Sequence, residues 1–404
     1  MPRLTVHVSC PLRDSFRVRQ VSGLFDVPVG DRSVERFEVE APDLDGDWRL
    51  GLIVGPSGSG KTTIARELFG PRLIARREWP ADEAVVDGFG DLPIKQIAGL
   101  LTAVGFGSPP AWIKPYRVLS GGEQFRCDLA RALAEALGGQ GAPGGRGACR
   151  ADVDVSPKPV ETDVVSAVTD RGADTPRSPL RLIACDEFTS VVDRRVARAI
   201  SAAVGRAVRG NQVPCRFVAV TCHYDVAEWL APDWVLDTAT GECQRRSLRR
   251  PPIELAIYRC GRPAWSGFAR HHYLSAALAR GARCFLAVWE DAAVAFCATL
   301  PLIGRRGHWR ITRLVTLPDY QGLGIGLRFA EAVAELHLAD GLRMNVTASH
   351  PAVIAHCRRS PLWRTVGLRK TGSPRARNLR SYPGSRGRAV ASFEFLGPAA
   401  GERP

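Results

Sequence analysis

The chain has 404 residues and a mass of 43.8 kDa, more than one ordinary compact domain holds, so composition predicts two domains or one domain with large insertions. Hydrophobic residues make up 45% and charged residues 24%, which supplies enough apolar side chains for real cores and excludes a wholly disordered protein. The net charge of +14 is unevenly placed: residues 251–404 hold 22 Lys+Arg against 9 Asp+Glu, while residues 1–250 are close to neutral. No run of about 18 apolar residues occurs, and the start MPRLTVHVSC lacks a basic segment followed by an apolar one, so the expectation is a cytoplasmic protein with no membrane partner.

A basic balance points to phosphate-rich partners, but only five of the 55 basic residues are Lys (Lys61, Lys95, Lys114, Lys158, Lys370). A GC-rich genome would account for Arg in place of Lys. It would not account for the concentration of charge, since between Asp340 and Glu394 there are eleven Arg or Lys and no acid. The eleven cysteines are scattered without a CxxC pair or a His/Cys cluster at zinc spacing, so reduced structural thiols are expected.

In chain order, residues 48–55 (WRLGLIVG) read as a buried strand ending in Gly, and GGEQFRCDLARALAEAL from Gly121 keeps Leu129, Leu133 and Leu137 on one helical face. Residues 138–179 are rich in Gly, Pro, Asp and Ser without sustained periodicity, which predicts a flexible insertion. LRLIACDEF (180–188) reads as a second buried strand, RRVARAISAAVGRAV as a helix and CRFVAVTCH as a third strand. RRSLRRPP (245–252) reads as a linker, which divides the chain into domains 1–250 and 251–404. Beyond it the pattern predicts a helix at HHYLSAALAR and strands at CFLAVWE, DAAVAFCATLP and HWRITRLVTL. A helix over 326–339, a strand at RMNVTAS and a basic tail with a last strand near RAVASFEFLG follow.

Two constellations carry chemistry. Gly55, Pro56, Ser57, Gly58, Ser59, Gly60, Lys61, Thr62 and Thr63 fit GxxxxGK[ST] between a strand and a helix. Glycines let successive N–H groups point at phosphates, Lys61 reaches the β- and γ-phosphates, and Thr62 offers a hydroxyl to Mg²⁺. Downstream, Asp186 and Glu187 end an apolar strand, where one carboxylate can hold Mg²⁺ and the other can orient or deprotonate water; as isolated acids they would equally cap the next helix.

With Leu119, Ser120, Gly121, Gly122, Glu123 and Gln124 added, residues 1–250 resemble ABC-type ATPases: LSGGEQ is similar to their signature motif, DEFTSVVD (186–193) to their Walker B and D-loop run, and VTCH ends in His223 at the place of the switch histidine. The resemblance implies ATP with Mg²⁺ on Thr62 and Asp186, Glu187 as the catalytic carboxylate, His223 on the γ-phosphate and Phe25 stacking on adenine. It also implies a homodimer in which Ser120, Gly121, Gly122 and Glu123 of one subunit close on nucleotide bound by the other. Gln96 is a candidate Q-loop residue or a helix-surface glutamine. The short stretch between Lys61 and Ser120, and the absence of a membrane segment, disfavour a transporter role.

The second constellation lies in ITRLVTLPDYQGLGIG (311–326), where a glycine-rich turn between a β-run and a helix makes a nest of N–H groups suited to a pyrophosphate, although a plain tight turn has the same composition. Gln321, Gly322, Gly324 and Gly326 match Q/R-x-x-G-x-G/A, and with the surrounding element order residues 255–397 resemble GNAT-type N-acetyltransferases. That resemblance implies acetyl-CoA, with its pyrophosphate on the amides of Gln321, Gly322, Gly324, Ile325 and Gly326 and its thioester near a splayed strand at Thr316. The fold class is then an α/β P-loop nucleotide-binding domain followed by an α+β domain with a mixed, mostly antiparallel sheet.

Where many members of that family carry a Tyr for proton transfer, this chain offers His356 and Cys357; His271, His272 and His350 are further candidates or ordinary capping histidines. The basic stretch from Arg343 to Arg388, with Trp363 and Tyr382, has the ingredients of nucleic-acid binding or of a plain solvated surface. The joint reading is an ATPase that drives or gates acetyl transfer to base amines of RNA or DNA, similar in design to tRNA cytidine acetyltransferases. The alternatives are a protein or small-molecule acetyltransferase with a regulatory ATPase, and an ATP-dependent nucleic-acid clamp without acyl transfer.

Overall fold

The computed structural model describes residues 3–27, 30–74, 78–136, 138, 180–245, 250–272, 277–370 and 389–398. The expected insertion, apart from Gly138, residues 246–249 of the linker, and Arg375, Arg377, Arg380 and Tyr382 of the basic tail lie outside the described residues.

The N-terminal half opens with β1 (Arg3–Pro11), α1 (Phe16–Phe25) and β2 (Arg32–Glu40), with β1 and β2 paired antiparallel. There follow β3 (Leu50–Val54), α2 (Lys61–Phe69), α3 (Ile94–Ala103), α4 (Pro109–Trp112), α5 (Gly121–Ala136), β4 (Arg181–Cys185), α6 (Arg194–Arg209), β5 (Cys215–Thr221), α7 (Val226–Leu230), β6 (Trp234–Asp237) and β7 (Cys243–Arg245). One sheet runs β4-β5-β3-β6-β7, parallel except for the last pair. Every residue of β3 is buried, as the centre of a sheet covered on both faces requires.

The C-terminal half comprises β8 (Ala256–Cys260), β9 (Arg283–Trp289), β10 (Ala292–Pro301), β11 (His308–Thr316), α8 (Ile325–Ala339), β12 (Arg343–Ala348), α9 (Pro351–Arg359), β13 (Trp363–Lys370) and β14 (Ala389–Phe395). They form a seven-stranded sheet, β13-β14-β12-β11-β10-β9-β8, antiparallel except at β11 and β12. That parallel ladder holds only from His308↔Arg343 to Ile311↔Val346, although β11 continues to Thr316 and β12 to Ala348. Past Ile311 the two strands are unpaired with each other, and the gap opens the sheet beside α8.

Two sequence expectations change here. HHYLSAALAR is not a helix over its described part: His271 ends a short 3-10 turn and residues 277–279 are irregular. Much of the expected basic tail belongs to the folded domain as β12 and β13 of the sheet and the helix α9 between them, and Trp363 is buried edge-on against Phe395 rather than offered as a stacking surface. Glu394 of β14 pairs with Arg343 at 3.1 Å and Arg364 at 2.6 Å, which neutralises part of the charge that the sequence left unpaired because strand neighbours were not visible in it.

α6 joins the two halves. Asp193 caps it by accepting from the N–H groups of Arg195 and Val196, and small residues let it pack on both sides. Ile200, Val204, Ala207 and Val208 enter the N-terminal core, while Ala199 and Ala202 enter the C-terminal core with Phe329 and Tyr320. Arg198 extends the contact, stacking on Trp229 and Trp289 and pairing with Glu290 at 2.8 Å. No described helix is long and apolar enough to cross a membrane.

Candidate functional site

Parallel pairing sets Val54 beside Thr221, and Cys185 beside Ala219, so the segments leaving β3, β4 and β5 emerge on one edge of the sheet. Gly55–Lys61, Asp186 with Glu187, and His223 therefore share the carboxyl edge, where open α/β sheets bind ligands. Gly58 and Gly60 have φ of +81° and +79°, which a side chain disfavours. A Cβ on Gly58 would meet nothing within 4 Å, whereas one on Gly60 would strike the Phe37 ring at 2.7 Å. The loop thus stands open on one side and is braced by β2 on the other, a cradle that fits a polyphosphate. Lys61 Nζ donates to Pro56 O at 2.6 Å, and Ser59 Oγ donates to Pro56 O at 2.8 Å, holding the loop curled. Thr62 and Thr63 follow in the first turn of α2. Thr62 and Asp186 are hard oxygen donors of the kind Mg²⁺ takes alongside phosphates, and would supply its protein ligands.

Asp186 Oδ1 accepts the Glu187 N–H at 2.9 Å, and Glu187 is left-handed at φ +51° with Thr189 at +63°. Non-glycine residues in that region cost about 1 kcal/mol or more and gather at functional sites. His223 is half-buried, its N–H donating to Thr221 Oγ1. Ser120 and Glu123 form a reciprocal cap on α5: the Ser120 N–H and hydroxyl donate to Glu123 Oε2 at 3.0 and 2.9 Å. That cap leaves Ser120 and Gly121 exposed, with Gly122 half-buried beside them. Phe25 ends α1 at 71% exposure, and the aromatic ring that meets the P-loop is Phe37.

The second site is a cleft of about 1370 Å³ where β11 and β12 part. Thr316, Gln321, Gly322, Gly324, Ile325 and Gly326 line it, as do His271, His272, His350 and His356. Gly322 and Gly324 have φ of +90° and +88°, and Gly324 is the N-cap of α8 with no side chain to offer its first turn. A Cβ on Gly326 would lie 2.6 Å from Thr316 Oγ1. The loop's bare backbone at a helix N-terminus fits the pyrophosphate of CoA.

Sequence reasoning missed how the N-terminal half enters this cleft. Gln321 is a bridge between halves: its Oε1 accepts the Gly107 N–H at 2.8 Å and its Nε2 donates to Thr316 O at 3.1 Å. Ala203 of α6 would lie 2.6 Å from a Cβ on Gly322, and Arg126 of α5, 2% exposed, donates to Pro318 O at 3.2 Å. Lys95, Gln96 and Arg206 line the cleft as well, so Gln96 faces this space.

Glu331, on α8, is the other residue without a sequence signal. Its Oε1 accepts from His356 Nε2 at 2.7 Å, Trp363 Nε1 at 3.3 Å and Ser360 Oγ at 3.4 Å, and Oε2 pairs with Arg328 at 3.4 Å. Burial raises this carboxyl, but the His356 and Trp363 hydrogen bonds and the Arg328 charge outweigh it and hold it below the usual carboxylate range. Cys357, by contrast, is 2% exposed, does not line the cleft, and has its thiol pushed up to about 12 by burial and by Glu331, which removes it from proton transfer there. His350 caps α9 through Nδ1, accepting from the Ala352 N–H at 3.2 Å, and burial holds its ring below the usual value.

A carboxylate held low in the fold stabilises it at pH above the ordinary glutamate value of about 4.3, and the contribution disappears as pH falls through the native-state value. Urea unfolding from about pH 7 to about pH 3 should therefore lose stability more steeply in the unaltered protein than in Glu331→Gln. Parallel curves would show that these hydrogen bonds contribute nothing.

Residues 252–358 match the model of the Acetyltransferase (GNAT) family. No curated protein matches the chain. Among solved structures, an IAA acetyltransferase from Bacillus cereus is 16% identical, with 35% of this chain and 99% of that one covered and a TM-score of 0.28. The ribosomal-protein-S18-alanine N-acetyltransferase from Escherichia coli is 16% identical over 37% of this chain and 99% of its own, with a TM-score of 0.28. A bacterial ABC transporter cassette in a dimeric structure is 17% identical over 53% of this chain and 93% of its own, with a TM-score of 0.33. The C-terminal half carries a GNAT-family domain. It is fused to an N-terminal half whose P-loop, signature and strand-end carboxylates resemble those of ABC-type ATPases.

Proposed function

We propose that this protein is an acetyl-CoA-dependent N-acetyltransferase controlled by ATP binding and hydrolysis in its N-terminal half, with an amine of nucleic acid as acceptor. The observation that carries the reading is the shared cleft: the strand gap and glycine loop of the GNAT domain form one wall, and α3 and α6 of the ATPase-like half form another. Acetyl-CoA, when bound, supplies an acyl group activated as a thioester. Glu331 accepts from His356 Nε2, which fixes the tautomer and leaves Nδ1 to take the proton that the attacking amine must lose.

In the N-terminal half, Lys61 and the amides of the P-loop hold the phosphates, and Glu187 orients or deprotonates the attacking water. Exposed Ser120 and Gly121 present the signature segment to a second copy of the chain, which supports a homodimer. A nucleic-acid acceptor is supported by the excess of 22 basic over 9 acidic residues in 251–404, and by Arg313, Arg328 and Arg359 on the cleft wall.

The test is labelled acetyl-CoA offered with bulk tRNA, duplex DNA and a protein extract, with and without ATP. Label in nucleic acid that depends on ATP and falls with rising salt is expected. Label confined to polypeptide overturns the acceptor, and ATP turnover without any acetyl transfer overturns the enzyme reading in favour of a clamp.

A further inference from the structure

α6 starts at the D-loop, and near its other end it brings Arg206 to the wall of the cleft beside Gly322, Gly324 and Gly326. A Cβ on Gly324 would lie 2.7 Å from Arg206 Nη1, so the guanidinium rests against the loop at the point where α8 begins. Three other arginines at this interface have acceptors: Arg126 the carbonyl of Pro318, Arg195 the hydroxyl of Tyr320, Arg198 the carboxylate of Glu290. Arg206 has none among the described residues. Its side chain is exposed to the open cleft, and the neighbouring charge is the like charge of Arg250.

An exposed guanidinium on the cleft wall, beside another cation and with no carboxylate partner among the described residues, has its donors free for an anion. The loop it touches is made of backbone N–H groups at a helix N-terminus, which also select an anion. A planar guanidinium matches phosphate oxygens two at a time, so donors from both halves would converge on one diphosphate.

We infer that the acetyl-CoA site is composite, and that Arg206 of the ATPase-like half binds the CoA pyrophosphate against the Gly322–Gly326 loop of the GNAT domain. The inference rests on the acetyl-CoA reading above. It adds that the GNAT domain alone is incomplete as a CoA binder, and that the helix leaving the D-loop is part of the cofactor site.

The test is calorimetric binding of CoA and of pantetheine, which lacks the diphosphate, to the full chain and to its Arg206→Ala and Arg206→Lys variants. Arg206→Ala should bind CoA about 10- to 100-fold more weakly with pantetheine binding unchanged, and Arg206→Lys should fall between. CoA affinity should also become less sensitive to salt in Arg206→Ala. Because Arg206 has no partner to lose among the described residues, the ligand-free melting temperature of the variants should stay at that of the unaltered chain. Equal CoA affinity in Arg206→Ala and the unaltered protein overturns the inference, as does an equal loss of pantetheine binding, which would mark a structural role. Failure of the unaltered protein to bind CoA would instead overturn the acetyltransferase reading, and this inference with it.

Discussion

His356→Ala should slow acetyl transfer by about 10²- to 10⁴-fold while acetyl-CoA affinity stays near that of the unaltered protein. The size follows from removing the group proposed to take the proton from the amine, and the split follows from its position: His356 lines the cleft but stands on α9, apart from the glycine loop. Its Nε2 is committed to Glu331 at 2.7 Å, so one tautomer is held in place whatever the acceptor does. Loss of His356 leaves Glu331 with Trp363, Ser360 and Arg328, and the fold should survive with a cost of about 1–3 kcal/mol. The checks are single-turnover rates of acetyl transfer and CoA binding by calorimetry. A fall of less than about tenfold would assign the proton to another group, with His271 and His272, which also line the cleft, next in line.

Glu187→Gln should reduce ATP hydrolysis by about 10²- to 10⁴-fold and hold two chains together in the presence of ATP, read as a dimer on a sizing column. Glutamine keeps the size and the left-handed backbone at φ +51°, but it cannot take a proton from water. A persistent monomer would remove the signature segment from the nucleotide site.

The trapped state also tests coupling. α5 begins at the signature segment and holds Pro318 through Arg126, while α6 begins at the D-loop cap Asp193 and presses Ala203 and Arg206 on Gly322 and Gly324. If ATP closes the proposed dimer, closure would act on the same two helices that support the proposed CoA loop, and CoA affinity of the trapped dimer should then differ from that of the free chain by about 5- to 150-fold. Identical affinities would mean that the two halves work independently.

The motifs visible in the chain are those whose chemistry is local. A glycine loop between a strand and a helix curls for phosphate whatever surrounds it, and Ser120 with Glu123 caps a helix within four residues. β3, β4, β5, β11, α6 and α8 were likewise legible, because uninterrupted apolar runs and a 3.6-residue repeat report burial directly. The expected helix at HHYLSAALAR shows the limit: over its described part His271 ends a 3-10 turn and Leu278 packs against a core cluster from irregular chain, an outcome set by tertiary contacts and not by propensity.

What needed the tertiary structure was every pairing between residues distant in sequence. Glu331 sits in an ordinary amphipathic helix and became the partner of His356 only when α8 and α9 packed together. Trp363, exposed to chemistry in the one-dimensional reading, was buried because β13 pairs with β14. Arg206 is one of many arginines until α6 carries it to Gly324.

From the order of residues alone come two kinds of phosphate loop, the strand-end carboxylates and a charge excess confined to one half. That these belong to one machine with a shared cleft was decided by packing. The alanine-rich face of α6 could bury its small side chains only by letting the second domain come close, and that close approach is what sets a guanidinium of one half against the glycines of the other.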